Sequence, residues 1–439
     1  MSFLGFRLVS FGLIAILLTS CGGKGLECVD KPKADSEKDP FKNVQVEVGV
    51  DGSASMLGYV KNPGTRYSQA INSLSSVLQN KPTQYWRIGR GEKVTEPQAL
   101  TANEFLNARK AEFYDCKLPG SNFACVSSTL DQIYTIPKNN PKEDALRILL
   151  TDLEPDQSAI TLLSGKISAE LKANRGYKAV LLGVRSEYNG NVFSADTGKL
   201  ALDKPYSTDG KDVDQTGRPF YLLMTGPSAA VDAIVTSLRQ LPLDVNQAFR
   251  ASSFTIGGID AITLDKTNIN QKFNECMSQT GAIKKTRPAR SQMDQWLLLE
   301  QSCINKPLSL EIPSETAITL AGAELTPEMF KISSPAVKLE SIAVSEDKMK
   351  LSLILDGEQI PKKTGQEIYI SLQKRDLDQA LWKNWTTTVA APDGAKTQNL
   401  ALFISTLRGE VENAVQNSKK KAATQEAVKY CLGLTRNDK

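Results

Sequence analysis

Among its 439 residues the chain contains no histidine. That absence excludes Ser-His-Asp and Cys-His catalysis, histidine-ligated zinc and histidine pH switching. No Cys-x-x-Cys pair occurs, which argues against thiol redox catalysis and zinc ribbons. A Walker loop and a G-x-S-x-G elbow are also missing, and no internal repeat recurs. Charge of one sign is not in excess: 53 Lys and Arg face 49 Asp and Glu, leaving +4. Nucleic-acid binding needs a concentrated basic face, so no nucleic-acid partner is expected. With imidazole absent, any metal must rely mainly on oxygen ligands, and Mg²⁺, Mn²⁺ or Ca²⁺ lead.

Long apolar runs are scarce, and the first lies at the start. Arg7 precedes the stretch Leu8-Val9-Ser10-Phe11-Gly12-Leu13-Ile14-Ala15-Ile16-Leu17-Leu18. It is short for a membrane span and reads as an export signal over residues 1–20. Leu18-Thr19-Ser20-Cys21 resembles a bacterial lipobox. That resemblance implies cleavage before Cys21, acylation of its thiol and anchorage in a lipid bilayer. By the same resemblance, to enterobacterial lipoprotein sorting, Gly22 rather than Asp at the next position implies the outer membrane of a bacterial envelope. Residues 21–43 are polar and charge-mixed, a tether spanning about 25 Å as a random coil.

Six further cysteines remain: Cys28, Cys116, Cys125, Cys276, Cys303 and Cys431. An even number in an exported chain suggests disulfides. Local spacing favours Cys116–Cys125 and Cys276–Cys303, which leaves Cys28–Cys431 by elimination.

From Val44 onward strand-like and helix-like segments alternate. Strands are expected over Val44–Val50, Gln84–Ile88, Ala145–Thr151, Lys178–Val184 and Phe220–Thr225. Helical spacing marks Tyr67–Gln79, Glu104–Phe113, Thr129–Ile136, Ala159–Ala173 and Ala229–Leu241. Such alternation argues for an α/β unit over 44–242, doubly wound around a mainly parallel sheet. Tyr188–Arg218 interrupts it as a polar insertion. Residues 243–305 read as a connecting segment, with Phe273–Leu299 helical in part. Short strands at Leu308–Ile312, Ala317–Leu320, Val337–Val344, Lys350–Leu355 and Glu367–Gln373 suggest a smaller β-sandwich over 306–439. Helices are expected at Leu400–Val415 and again near Cys431. Trp382, Trp385 and Tyr369 read as core rather than as a ligand-stacking patch.

One motif carries chemistry. Asp51-Gly52-Ser53-Ala54-Ser55-Met56 follows Val44, Val46, Val48 and Val50, so a carboxylate and two hydroxyls sit where a strand ends. Leu149-Leu150-Thr151-Asp152 ends a later buried strand with another carboxylate. D-x-S-x-S followed by a strand-terminal Thr-Asp resembles the metal-ion-dependent adhesion site of von Willebrand factor A (vWA) domains. The resemblance covers residues 44–242 and implies a Rossmann-like fold. It also implies a divalent cation held by Asp51, Ser53, Ser55, Asp152 and a middle-loop hydroxyl. Thr129 fits that last role by side-chain type, and Ser128 fits the spacing to Leu130. Leu153 stands where the family usually has glycine, so a different turn is expected there. Glu154 and Asp156 could add negative charge.

In that family the cation keeps a vacant position that a partner's Asp or Glu carboxylate fills. The expected function is therefore binding rather than catalysis, with Mg²⁺ or a similar ion as cofactor. The alternative is an envelope scaffold that uses the fold without the metal. Local turns and a helix cap would explain the same residues structurally.

Overall fold

The computed structural model describes residues 39–439 apart from 139, 141–142, 155, 175, 240–248, 257–261, 265–267, 269–276, 281–295, 301, 303–306, 314–322, 345–347, 362–364, 418–425 and 437–439. The export signal, Cys21 and most of the tether therefore lie outside the described residues. Among the described residues no helix is long and apolar enough to cross a membrane.

The first part of the chain forms β1 (Val44–Asp51), α1 (Arg66–Leu78), β2 (Thr83–Ile88), β3 (Gln98–Leu100), α2 (Ala102–Leu106) and β4 (Asp144–Thr151). It continues through α3 (Gln157–Ala173), β5 (Tyr177–Ser186), the short β6 (Asn189–Gly190) and β7 (Tyr206–Ser207), and α4 (Val213–Thr216). Next come β8 (Arg218–Pro227), α5 (Ser228–Arg239) and β9 (Phe249–Phe254). Seven strands join one sheet in the order β3-β2-β1-β4-β8-β5-β9. Period-two alternation sorts their side chains: Val46, Val48 and Val50 face α1 and α5, while Leu149 faces α3. Ile71 and Leu74 of α1 and Ile160, Leu163 and Ile167 of α3 supply the matching apolar faces.

The sheet is mixed, not mainly parallel. β1 pairs in parallel with β2 and β4, but β4–β8, β8–β5 and β5–β9 are antiparallel. The insertion after β5 explains this. A parallel neighbour needs a crossover that carries the chain back across the sheet. Here the excursion leaves β5 at Ser186 and re-enters at Arg218, the residue paired with Ser186. β8 must then run back alongside β5, and it wedges between β4 and β5. β9 lies past residue 242, where the sequence reading ended this unit, yet it is the sheet's edge strand.

The second half contains β10 (Ile262–Leu264), β11 (Met277–Thr280), β12 (Trp296–Leu299), β13 (Pro307–Pro313), β14 (Phe330–Ile332), β15 (Val337–Val344), β16 (Lys348–Leu355) and β17 (Gln366–Gln373). After a helix at Lys374–Trp382 come β18 (Thr386–Thr387) and β19 (Thr397–Gln398), a helix at Leu400–Asn417, and β20 (Glu426–Arg436). One sheet runs β11-β12-β20-β17-β14 with β10 also on β20; a second is β13-β16-β15. Leu310, Leu351 and Leu353 of one share an apolar cluster with Ile368, Ile370 and Leu432 of the other. The expected strand at Ala317–Leu320 lies outside the described residues.

One expectation fails in this half. The segment near Cys431 is an eleven-residue strand, not a helix. Its Val428, Tyr430, Leu432 and Leu434 alternate, are β-branched, aromatic or bulky, and are all buried. Within Phe273–Leu299 the described residues are strands β11 and β12, paired antiparallel; the rest of that segment, where a helical part is expected, lies outside the described residues. Trp382 and Trp385 are core as expected, each 2% exposed. A Cβ on Gly183 of β5 would meet both indoles within 3.0 Å.

The two halves share one core. Phe403, Leu407 and Val411 of the helix Leu400–Asn417 belong to the cluster that includes α3 and the first sheet. The segment between the two late helices crosses the first sheet's strand ends. There Arg185 donates to the carbonyls of Asn384 (3.1 Å) and Ala395 (3.0 Å), and Tyr221 hydrogen-bonds Thr397 at 2.9 Å.

Candidate functional site

β1 and β4 run side by side in register up to Val50 and Leu150, so their carboxyl ends bring Asp51 beside Thr151. Asp51 is fully buried. Its Oδ1 accepts the Ser53 backbone N–H at 3.0 Å. Its Oδ2 accepts the hydroxyls of Ser128 and Thr151, each at 2.9 Å. One carboxylate thus ties together three separate chain segments. A 3-10 helix over Ala54–Tyr59 begins just after Ser53. That tight turn aims two hydroxyls the same way, and Ser53 Oγ lies 3.0 Å from Ser55 Oγ.

Gly52 is required for space. A Cβ there would lie 2.6 Å from Arg87 Nε. Arg87 cannot yield easily, because it donates to the carbonyls of Gly52 (2.9 Å) and Phe113 (3.2 Å). It forms no ion pair among the described residues.

Of the two middle-loop candidates, Ser128 reaches Asp51 and Thr129 does not. Thr129 is the N-cap of a short 3-10 helix, Leu130–Tyr134, and makes no side-chain cap bond. That helix replaces the longer one expected over Thr129–Ile136. Ser127 is pinned by paired backbone bonds with Arg90 (2.9 and 3.0 Å), which sets the approach of Ser128. The Cys116–Cys125 disulfide lies just upstream, with Cα atoms 5.1 Å apart, as expected from spacing. Cys431 is also disulfide-bonded, to a partner outside the described residues. Cys28, Cys276 and Cys303 fall outside them too, so those pairings are not described.

Asp152 sits at the other strand end, 2% exposed. Burial first, then the neighbouring Glu154 carboxylate, raises its pKa to about 7 against the pull of Arg218. The nearby Asp51 carboxylate adds to the rise, and a hydrogen bond from Ser55 opposes it. Asp152 Oδ2 is buried with no hydrogen-bond partner. Leu153 accommodates the turn without glycine: it takes φ +50°, the left-handed conformation, with its side chain fully buried. Burial of the isobutyl group, worth about 2–3 kcal/mol, offsets the roughly 1–2 kcal/mol of left-handed strain. The Leu153 N–H donates to Thr151 Oγ1 at 3.0 Å, locking the same turn.

Asp156 does not join the site; its carboxylate caps α3 by accepting the Ala159 N–H at 2.8 Å. The helix-cap reading weighed for Asp152 belongs to Asp156 instead. Glu154 does join it. Arg218, 1% exposed, lies between the two acids, 2.7 Å from Glu154 Oε2 and 3.9 Å from Asp152 Oδ2. Its Nη1 donates to the Gly394 carbonyl at 3.2 Å. The sequence reading missed Arg218. The only trace in sequence is an arginine opening an otherwise apolar strand, and its neighbours come from the inserted β8.

The donor set suits a hard cation: two carboxylates and three serine hydroxyls, all oxygen, with one carboxylate oxygen unspent. Asp51, Ser53, Ser55, Ser128 and Asp152 are the residues that could hold it. The described residues contain no group of three Cys, Asp or Glu side chains placed to share a metal. A site built mainly on hydroxyls does not need one. No protein-family model, curated protein or solved structure matches the chain.

Proposed function

We propose that this chain is a vWA-like binding protein, anchored to a bacterial envelope membrane through acylated Cys21. In this reading it captures a partner's Asp or Glu carboxylate through a Mg²⁺, Mn²⁺ or Ca²⁺ ion. One observation carries it: Asp51 gathers Ser53, Ser128 and Thr151 around one carboxylate, while buried Asp152 Oδ2 has no hydrogen-bond partner. Serine hydroxyls do not quench the charge of a bound ion, so it stays able to take an external carboxylate. The hydroxyls here donate to a fully buried carboxylate that already holds three donors, so the reading is binding and not catalysis.

Arg218 favours a second reading. A guanidinium already wedged between Asp152 and Glu154 supplies internal positive charge, as a metal-independent scaffold would need. Calorimetric titration of the full chain with Mg²⁺ and Mn²⁺ separates the two. The cation reading expects saturable binding that Asp51→Asn abolishes. Heats identical in wild type and Asp51→Asn sink it, and partner capture unaffected by EDTA then supports the scaffold.

A further inference from the structure

The two late helices, Lys374–Trp382 and Leu400–Asn417, line a half-open cavity of about 550 Å³ remote in sequence from the candidate metal residues. That volume is in the range of sites that bury a small organic ligand. Its wall is apolar: Trp382, Ile404 and Leu402, the last an exposed large hydrophobic at 38%. The Trp382 indole N–H is already spent on Ser252 Oγ at 2.8 Å, so the ring offers the cavity only apolar surface.

The charges lining this cavity are lopsided. Its one carboxylate, Asp378, is used up. One oxygen accepts from Ser252, and the other accepts Nε and Nη2 of Arg408 at 2.9 and 2.8 Å. The positive side is not exhausted. Arg408 is 2% exposed, and its Nη1 is buried with no hydrogen-bond partner. Lys383 lines the same cavity, exposed and without an ion pair among the described residues. Arg375 adds a third cation at the rim, paired with Glu412 outside the lining. The Arg408 guanidinium donates to the Ser253 carbonyl at 2.9 Å and lies over the Phe254 ring at 4.2 Å, so Nη1 is the one donor left over.

We infer that this cavity binds an amphipathic monoanion: an aliphatic or aromatic body with one carboxylate or sulfonate end. The body lies against Trp382, Ile404 and Leu402, and the anionic end meets Lys383 and Arg408. A cationic or neutral amphiphile gains only the apolar half of these contacts. The inference does not depend on the cation reading, since neither helix contributes a residue to that site.

Calorimetry on the full chain tests it, with decanoate as the anionic probe and decyltrimethylammonium as its charge-reversed control, both below micelle-forming concentrations. Decanoate is expected to bind saturably and at least about tenfold more tightly than the ammonium amphiphile. Lys383→Glu should weaken decanoate by about tenfold or more, and Ala401→Trp should abolish binding by filling the space. Both positions face solvent, and Ser405→Trp, also an exposed lining position, is a second filling variant. Absent decanoate binding, equal affinity for the two amphiphiles, or binding unchanged by both tryptophan variants overturns the proposal.

Discussion

Two buried charge clusters occupy the same pair of strands and come to opposite ends. Glu47 and Asp51 lie four residues apart on β1, on one face and about 13 Å apart along the strand. At Glu47 the account closes. Arg147 on β4 pairs with Glu47 (2.9 Å) and with Glu170 of α3 (2.8 Å) and donates to the Ile133 carbonyl at 3.2 Å. At the Asp152 end it does not close. Asp152 and Glu154 share the one guanidinium of Arg218, which lies 2.7 Å from Glu154 and reaches Asp152 only at 3.9 Å. Glu47 and Asp152 both have a pKa raised to about 7, in each case chiefly by burial. A perturbed pKa therefore does not distinguish framework from site in this molecule. The ion-pair distance does, 2.9 Å at Glu47 against 3.9 Å at Asp152, together with hydroxyl-rich loops where the strands end.

Removing each arginine breaks that comparison most directly. Arg147→Met leaves Glu47 buried beside an unpaired Glu170 and should cost about 3–5 kcal/mol by urea unfolding. Arg218→Met should cost a similar amount, about 3–5 kcal/mol, in EDTA. Saturating Mg²⁺ should then recover stability in Arg218→Met and leave Arg147→Met unchanged. An equal response of the two variants to Mg²⁺ removes the distinction between the clusters.

The next effect is in pH. A carboxyl whose folded pKa stands above its unfolded value keeps an extra proton in the folded state across that interval. Stability then falls as pH rises from about 4.5 through about 7. For Glu47, raised from 4.5 to about 7, the loss is on the order of 2–3 kcal/mol. Glu47→Gln should flatten that part of the pH–stability curve, and Mg²⁺ should leave it untouched. A Glu47→Gln curve as steep as wild type disproves the assignment.

The strand ends themselves differ, and this sharpens the comparison further. β1 leaves through Gly52, where a side chain has no room; β4 leaves through Leu153, where one is buried. Leu153→Gly relieves left-handed strain but opens a cavity, for a net loss of about 1–3 kcal/mol in chemical denaturation. A gain in stability instead means the strain outweighs the packing. The smallest effect separates the two hydroxyl candidates. Ser128→Ala should weaken Mg²⁺ binding by roughly tenfold, about 1.4 kcal/mol, and Thr129→Ala should leave it unchanged. The reverse order by calorimetry reassigns the loop.

Much of this was legible along the chain. Alternating valines before Asp51, the buried run before Asp152 and the amphipathic α1 and α3 are local patterns, read by period alone. The Cys116–Cys125 pairing followed from nine residues of separation. What escaped was relational. The direction of β8 depends on which end of β5 the insertion returns to, and composition carries no such information. Ser128 and Thr129 differ by one position on a loop held by the backbone bonds of adjacent Ser127 to Arg90, 37 residues away in sequence. The strand at Glu426–Arg436 carries a period-two pattern, Val428, Tyr430, Leu432 and Leu434, which the expectation of a helix there does not use.

Sequence alone determined the chemistry on offer: no imidazole, an oxygen-rich pair of strand ends and apolar periodicities that demand a layered α/β core. These are properties of residue type and local spacing, which survive without knowledge of neighbours. Only the tertiary structure decided that the sheet is mixed, that Ser128 and not Thr129 is the middle-loop hydroxyl bonded to Asp51, and that Arg218 stands between Asp152 and Glu154. Each is a contact between segments tens to hundreds of residues apart. Its energy comes from burial and partner geometry, which only the closed fold creates.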